Sequence, residues 1–380
     1  MNRISRRAVL GGVAASAAIT KPKTALGSQA SSAIRMGIIG TGGRGRYVGG
    51  IFAKDSRSRI VAICDIYPDR VDLAKTQIPT ADQARVYKDY RELLAQTDID
   101  AVLIATPVFL HPEHFEAAAK ARKHIYCEKP AGADVAGVKR LMRAAEAADK
   151  TKSIAFGFQQ RFSPEYLAAE KILRSGQLGQ LTLMMSYWVW GGSAFREWKS
   201  PYPPEDQKIR HWGIFKETSG DFIVEQDCHG LDVLNWFAEG HPLKAIGDGG
   251  RKARTAGDIS DHALVSYEYA GGLRGWLLGT QLPPSPYWDV KEQFFGTLGV
   301  LETERKYYQW WKAGETKPLR VDSGREITVD AVEKFLESVA AGKPYDMSKS
   351  SAEATLTSLL GRMAIELGRA VTWEEMMRSA

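Results

Sequence analysis

Apolar residues fall along this chain in short runs that stop at glycines or polar residues, and stretches of helical spacing separate them. Ile34 to Ile39 runs into a glycine cluster, while Arg59–Asp65 and Ala101–Thr106 end on polar side chains. Runs of this length, alternating with helical patterns, predict buried strands of a parallel sheet. Pro112 to Arg122 and Asp134 to Ala148 read as helices on either side of a further strand, His124–Cys127. A first domain spanning 34–150 is expected to close near Lys150. From Leu181 the texture changes. Leu181–Trp188, His262–Tyr269, Leu273–Thr280 and Val290–Gly296 predict strands of an antiparallel sheet, with a hairpin at Gly271-Gly272. Helical spacing returns at Val329–Ala340 and Ser350–Leu367, either to cover one sheet face or to pack back on the first domain. The expected class is α/β, with a parallel first domain and an α+β second domain, 151–380, built on a large open, mainly antiparallel sheet.

A length of 380 residues favours two compact units, and a hydrophobic fraction of 44% with 25% charged residues is that of a folded globular protein rather than a disordered one or a membrane bundle. The net charge of +6 is misleading. Arg3, Arg6, Arg7, Lys21 and Lys23 lie in the first 30 residues, which contain no acid, so the remainder carries about +1. That balance gives no electrostatic case for nucleic-acid binding. The same segment, with Arg6-Arg7 ahead of a weakly apolar run from Ala8 to Ile19, resembles a twin-arginine export signal over 1–30. The run is too short to span a bilayer, so the expectation is cleavage near Ala30, a periplasmic or secreted location, and no membrane association afterwards. Cys64, Cys127 and Cys228 are scattered, without a C-x-x-C pair, and predict neither a disulfide framework nor a zinc site.

Gly40-Thr41-Gly42-Gly43-Arg44-Gly45 fits G-x-G-x-x-G directly after a strand, the context in which the motif has physical meaning. The first glycine permits a tight turn, the second lets backbone N–H groups approach a pyrophosphate, and the third allows close packing of helix on strand. Asp65, 25 positions after Gly40, ends the second strand, where a carboxylate accepts from ribose hydroxyls and repels a 2′-phosphate. The first domain is therefore expected to be a Rossmann domain binding NAD in preference to NADP, with Arg44 able to soften that preference.

Ala105-Thr106-Pro107, His111 and Cys127-Glu128-Lys129-Pro130 resemble the Gfo/Idh/MocA oxidoreductase family. The resemblance implies that Thr106, Pro107, His111, Glu128 and Lys129 lie on the cofactor side, with Lys129 near the nicotinamide and the reacting hydroxyl. Oxidising a secondary alcohol needs a proton acceptor at oxygen while hydride leaves carbon, a task for a lysine of depressed pKa or a lysine and histidine sharing a proton. His229 matches the family histidine and is the candidate acceptor. Glu225 stands where many relatives carry aspartate, as the orienting acid, and Asp227 is an additional carboxylate expected on the substrate. His229 and Asp232 share a helical face, where Asp232 matches a further family acid or simply caps or pairs within the helix. Were Glu225, Asp227 and His229 on one strand, they would share a face, but no motif supports a metal there, and none is expected. Gln160 and Arg161 are expected either to contact the substrate or nicotinamide or to form an interdomain hydrogen-bond network.

The stretch from Gly191 to Lys216 shows neither helical nor strand period over most of its length, carries Trp198, Tyr202, Trp212 and Phe215, and follows directly on Trp190. It reads as an aromatic lid over a sugar ring or as a surface loop pinned by its own aromatics. The function expected from all this is NAD(H)-dependent hydride transfer at a secondary hydroxyl of a sugar, cyclitol or glycoside. The alternatives are an exported glycosidase that uses retained NAD for transient oxidation and elimination, and a noncatalytic sugar-binding protein. The resemblance also implies a homo-oligomer, dimer or tetramer, formed through the open sheet face.

Overall fold

Six strands form the first sheet of the computed structural model, which describes residues 33–191 and 200–380. The proposed leader and Trp198 lie outside the described residues. The strands are β1 (Ile34–Ile39), β2 (Ser58–Cys64), β3 (Arg85–Tyr87), β4 (Ala101–Ile104), β5 (His124–Cys127) and β6 (Ile154–Phe156), in the order β3-β2-β1-β4-β5-β6 and parallel throughout. All four residues of β4 are buried, as expected of a central strand covered on both faces. The sixth strand lies just past the boundary read at Lys150, because Ile154–Phe156 adds to β5 before the chain leaves the sheet.

The second sheet contains β7 (Leu181–Trp190), β8 (Lys244–Gly250), β9 (His262–Glu268), β10 (Arg274–Thr280), β11 (Trp288–Gly296), β12 (Gly299–Glu304), β13 (Tyr307–Lys312), β14 (Leu319–Asp322) and β15 (Val371–Thr372). Their order is β14-β13-β12-β11-β7-β10-β9-β8-β15, antiparallel except where β10 runs parallel to β7. The inner face buries Ala263, Val265, Tyr267 and Leu277 against helices, whereas Ile246, Leu264, Trp276 and Leu278 stand exposed on the outer face. Between β7 and β8 the chain forms short helices, Pro204–Arg210, Phe222–Glu225 and Cys228–Ala238. Pro204–Arg210 corrects the reading of Gly191 to Lys216 as irregular. It has no buried residue and hence no apolar stripe for periodicity to reveal.

The helices Ile327–Ala340 and Ser348–Leu367 return to the first domain. Phe335 is fully buried and meets Phe52 and Tyr126 edge-on, with ring centroids 5.9 and 5.7 Å away. Val332 and Leu336 join the same core as Met36 and Val48, so the nucleotide-side sheet is completed by residues some 300 positions downstream of its first strand. Phe335→Ala is expected to destabilise the whole chain by about 3–5 kcal/mol, the cost of emptying an aromatic site in a packed core. Equilibrium denaturant unfolding measures this, and a loss below about 1 kcal/mol would show that the first domain does not depend on this helix.

Candidate functional site

At the end of β1 the chain must turn sharply into the helix Gly43–Lys54, and two glycines make that possible. Gly40 has φ of +89°, and a Cβ on it would lie 2.7 Å from the Ala105–Thr106 backbone. A Cβ on Gly45 would lie 2.0 Å from the Gly40 carbonyl oxygen. Gly42 and Gly43, in contrast, have open space on that side. The space belongs to a cavity of about 710 Å³ lined by Gly40, Gly42, Gly43, Asp65, Thr106 and Pro107. Backbone N–H groups at a helix start beside an open cradle fit a pyrophosphate.

Asp65 fixes this turn from β2. Its Oδ2 accepts from the Thr41 backbone N–H at 2.8 Å and from the Thr41 hydroxyl at 3.1 Å, and Oδ1 accepts from the Tyr67 N–H at 3.0 Å. Oδ2 is thereby filled, while Oδ1 retains acceptor capacity for a ribose hydroxyl, and Asp65 lines the cavity.

Three residues expected on the cofactor point elsewhere. Arg44 Nε sits 2.9 Å from Glu128 Oε1, so the guanidinium braces the glycine turn against the Glu-Lys-Pro loop. Glu128 is buried and faces Gly157, where a Cβ would come within 2.4 Å of Oε2, instead of facing the cavity. His111 is also buried, with Nδ1 2.7 Å from the Pro130 carbonyl oxygen and Nε2 2.9 Å from that of Thr106. Burial lowers its pKa against the opposing pull of those two carbonyls. His111 therefore ties the cavity wall at Thr106 to the loop that carries Lys129.

Lys129 projects from that loop onto the end of the helix Phe222–Glu225. Its ammonium donates to Glu225 Oε1 at 2.8 Å and to the Glu225 backbone carbonyl. Burial favours the neutral amine here, but the Glu225 carboxylate outweighs it, and the lysine pKa ends above its ordinary value. The expected lysine of depressed pKa is thereby replaced by a lysine held as a cation.

His229 behaves in the opposite way. It occupies the first turn of Cys228–Ala238, 5% exposed, and its ring stacks on Trp188 with centroids 5.3 Å apart and planes 9° apart. Burial drives its pKa well below the ordinary histidine value, and the charge of Lys129 adds to the effect. The positive end of the helix acts in the same sense. Nδ1 lies 3.1 Å from Gln160 Oε1, an acceptor, so in the neutral ring Nδ1 carries the hydrogen and Nε2 keeps its lone pair.

Gln160 thus holds the histidine. Its neighbour Arg161 makes a bidentate pair with Asp232, both bonds 2.8 Å, and this anchors the turn Gln159–Phe162 to the histidine helix. Asp232 accordingly pairs across to another element, not within its helix. Asp227, expected on the substrate, is fully buried, with neither carboxylate oxygen hydrogen-bonded. Burial and then the neighbouring Asp221 raise its pKa far above the carboxylate range. Its Oδ2 occupies the space a Cβ on Gly279 would need. Since the chain breaks between two helices here, Glu225, Asp227 and His229 diverge towards Lys129, Gly279 and Gln160, which removes the shared strand face a metal would have used.

Trp190 donates Nε1–H to Gln226 Oε1 at 2.7 Å, and nothing places it on the nucleotide cavity. Trp212 does line that cavity, with Ile209 and Arg210, so this one of the expected aromatics faces the cavity of the glycine turn. Sequence reasoning also missed Tyr67, Arg70 and His114 on the cavity wall and Trp188 against His229. Trp188, at the end of a predicted strand, was the one of these with a visible signal.

The chain matches the model described as the oxidoreductase family, NAD-binding Rossmann fold, over residues 34–156, and the GFO/IDH/MocA C-terminal domain over 166–302. It is 26% identical to a myo-inositol 2-dehydrogenase of Thermotoga maritima over 90% of this chain and 100% of that one. An inositol 2-dehydrogenase of Rhizobium meliloti is 29% identical over 72% of this chain and 76% of its own. Among solved structures, a levoglucosan dehydrogenase in complex with NADH and levoglucosan superposes with a TM-score of 0.76 at 19% identity, covering 89% of this chain and 99% of that one. A scyllo-inositol dehydrogenase from Lactobacillus casei with bound NAD(H) and scyllo-inositol gives 0.73 at 21% identity, over 90% and 99%. With both domains matched and the glycine cradle, Asp65 and the Glu-Lys-Pro loop in place, this chain belongs to the Gfo/Idh/MocA family of oxidoreductases, and its first domain is an NAD-binding Rossmann domain.

Proposed function

We propose that the chain oxidises a secondary hydroxyl of a sugar or cyclitol reversibly, with His229 as the proton acceptor and Lys129 as a charged hydrogen-bond donor to the reacting oxygen. The observation that carries this reading is the opposed electrostatics of the two residues, a cationic lysine fixed by Glu225 beside a neutral histidine oriented by Gln160. The relatives that act on inositols support the substrate class. Held in the glycine cradle, NAD would supply the acceptor for the hydride that leaves the carbinol carbon. In that step the C–H and O–H bonds break, a C=O bond forms, and the proton passes to His229 Nε2. Lys129, already protonated, stabilises the negative charge that develops on oxygen. Glu225 keeps the lysine charged and aimed, which also prevents it from competing for the proton.

The assignment fixes a pH dependence. The base works only as neutral imidazole, and its pKa lies below the ordinary 6.5, so activity in the oxidation direction is retained as pH falls through 6.5 and is lost only lower. The pH profile of kcat/KM tests this, and an acid limb at or above 6.5 would rule His229 out as the base described. A panel of sugars and cyclitols offered with NAD is expected to include at least one that forms NADH, with a primary isotope effect when the carbinol C–H is deuterated. Reduction of NAD by no member of the panel would contradict the substrate class. His229→Ala and Lys129→Ala are each expected to lower kcat by roughly 10²–10⁴-fold while NADH still binds, as judged by fluorescence titration.

A further inference from the structure

The residues from Tyr202 to Ile214 sit in sequence far beyond the first domain, yet their most specific contacts are with it. Arg210 donates Nη1–H and Nη2–H to Asp69 at 3.0 and 2.8 Å. Its guanidinium lies over the rings of Tyr67 at 3.7 Å and Tyr202 at 4.1 Å, and only 9% of its side chain is exposed. The Tyr67 hydroxyl in turn donates to Asp206 Oδ1 at 3.1 Å. Tyr67 follows Asp65 by two positions, so this cluster is fastened beside the carboxylate expected to read the ribose.

Two further observations show what the segment is for. Ile209, Arg210 and Trp212 share the walls of the cavity with Gly40, Gly42 and Asp65. At the same time, no apolar residue of the helix Pro204–Arg210 is buried, so the helix has no apolar core of its own holding it down. An element attached through one polar and aromatic cluster, without buried apolar contacts, opens more readily than the sheets on either side of it.

We infer that residues 202–212 form a strap, supplied by the second domain, that binds the adenosine half of NAD and slows release of the nucleotide, with Arg210 as its latch. The inference rests on the reading of the cavity as the NAD site. Trp212 and Ile209 offer apolar surface to a purine, while Asp65 and the glycine turn receive the ribose and pyrophosphate. Release of the nucleotide then requires Arg210 to leave Asp69 and the two tyrosine rings, and breaking those contacts sets the dissociation rate. The hydride-transfer end, at Lys129 and His229, lies outside the strap's contacts and is left free to exchange sugar.

Displacement of bound NADH by excess NAD, followed by stopped-flow fluorescence on the full chain, tests the strap without relying on activity. Arg210→Ala is expected to speed NADH release by roughly tenfold or more, the factor expected when a cation held between two rings and a carboxylate is removed. Tyr67→Phe, which deletes only the hydroxyl bond to Asp206, is expected to act in the same direction by roughly two- to fivefold, and it carries the test if Arg210→Ala fails to fold. NADH that binds but leaves both variants at the wild-type rate overturns the strap alone. A wild-type protein that takes up no NADH overturns the reading of the cavity, and the strap with it.

Discussion

The half-buried pair between Lys129 and Glu225 is the constraint around which the site is arranged. It joins a loop of the nucleotide sheet to a short helix of the second domain across 96 positions of sequence, with side chains only 12% and 22% exposed. A pair removed from water in this way is held by mutual attraction that neither partner can lose without leaving an uncompensated charge. The lysine consequently remains a cation, and the cation in turn disfavours a second positive charge on His229. One ion pair therefore holds the lysine as a cation and reinforces the neutrality that burial imposes on the histidine, which divides the labour between them.

The rest of the local architecture serves to hold that division. Gln160 selects the histidine tautomer, Arg161 locks the adjoining turn to Asp232, and His111 links Thr106 on the cavity wall to Pro130 beside the lysine. Each is a side chain that acts through another, and none of the three lines the cavity itself. The C-terminal helices add a global version of the same coupling, since Phe335 and Leu336 complete the core under the nucleotide sheet. Neither domain is finished until the chain has nearly ended.

Much of this was legible in the sequence wherever a residue's role follows from backbone geometry. Gly40 and Gly45 sit where a Cβ would clash, Asp65 follows β2, and β1, β2, β4, β5, β7, β9, β10 and β11 carry the apolar runs or alternation that announced them, whereas the short or exposed β3, β6, β8 and β12–β15 did not stand out. What could not be read was direction. Glu225, Asp227 and His229 alternate in sequence as strand neighbours would, but the break between two helices sends one carboxylate to Lys129 and buries the other against Gly279. Gln160 and Arg161 have the chemistry of substrate ligands and turn inward because α-helical partners 69 and 71 positions away offer His229 and Asp232. The strap escaped because a helix without a buried face leaves no periodic trace, and its aromatic residues suit a purine as well as a sugar.

The central claim is that the enzyme holds His229 neutral, with its hydrogen on Nδ1, next to a charged Lys129. Nitrogen-15 NMR of the imidazole in the NAD complex at neutral pH observes this directly, with Gln160→Leu as the comparison that removes the Nδ1 acceptor. The account predicts a protonated Nδ1 and an unprotonated Nε2 in the wild type, and loss of that single-tautomer signature in the variant. An imidazolium at neutral pH, or a hydrogen resident on Nε2, would contradict it.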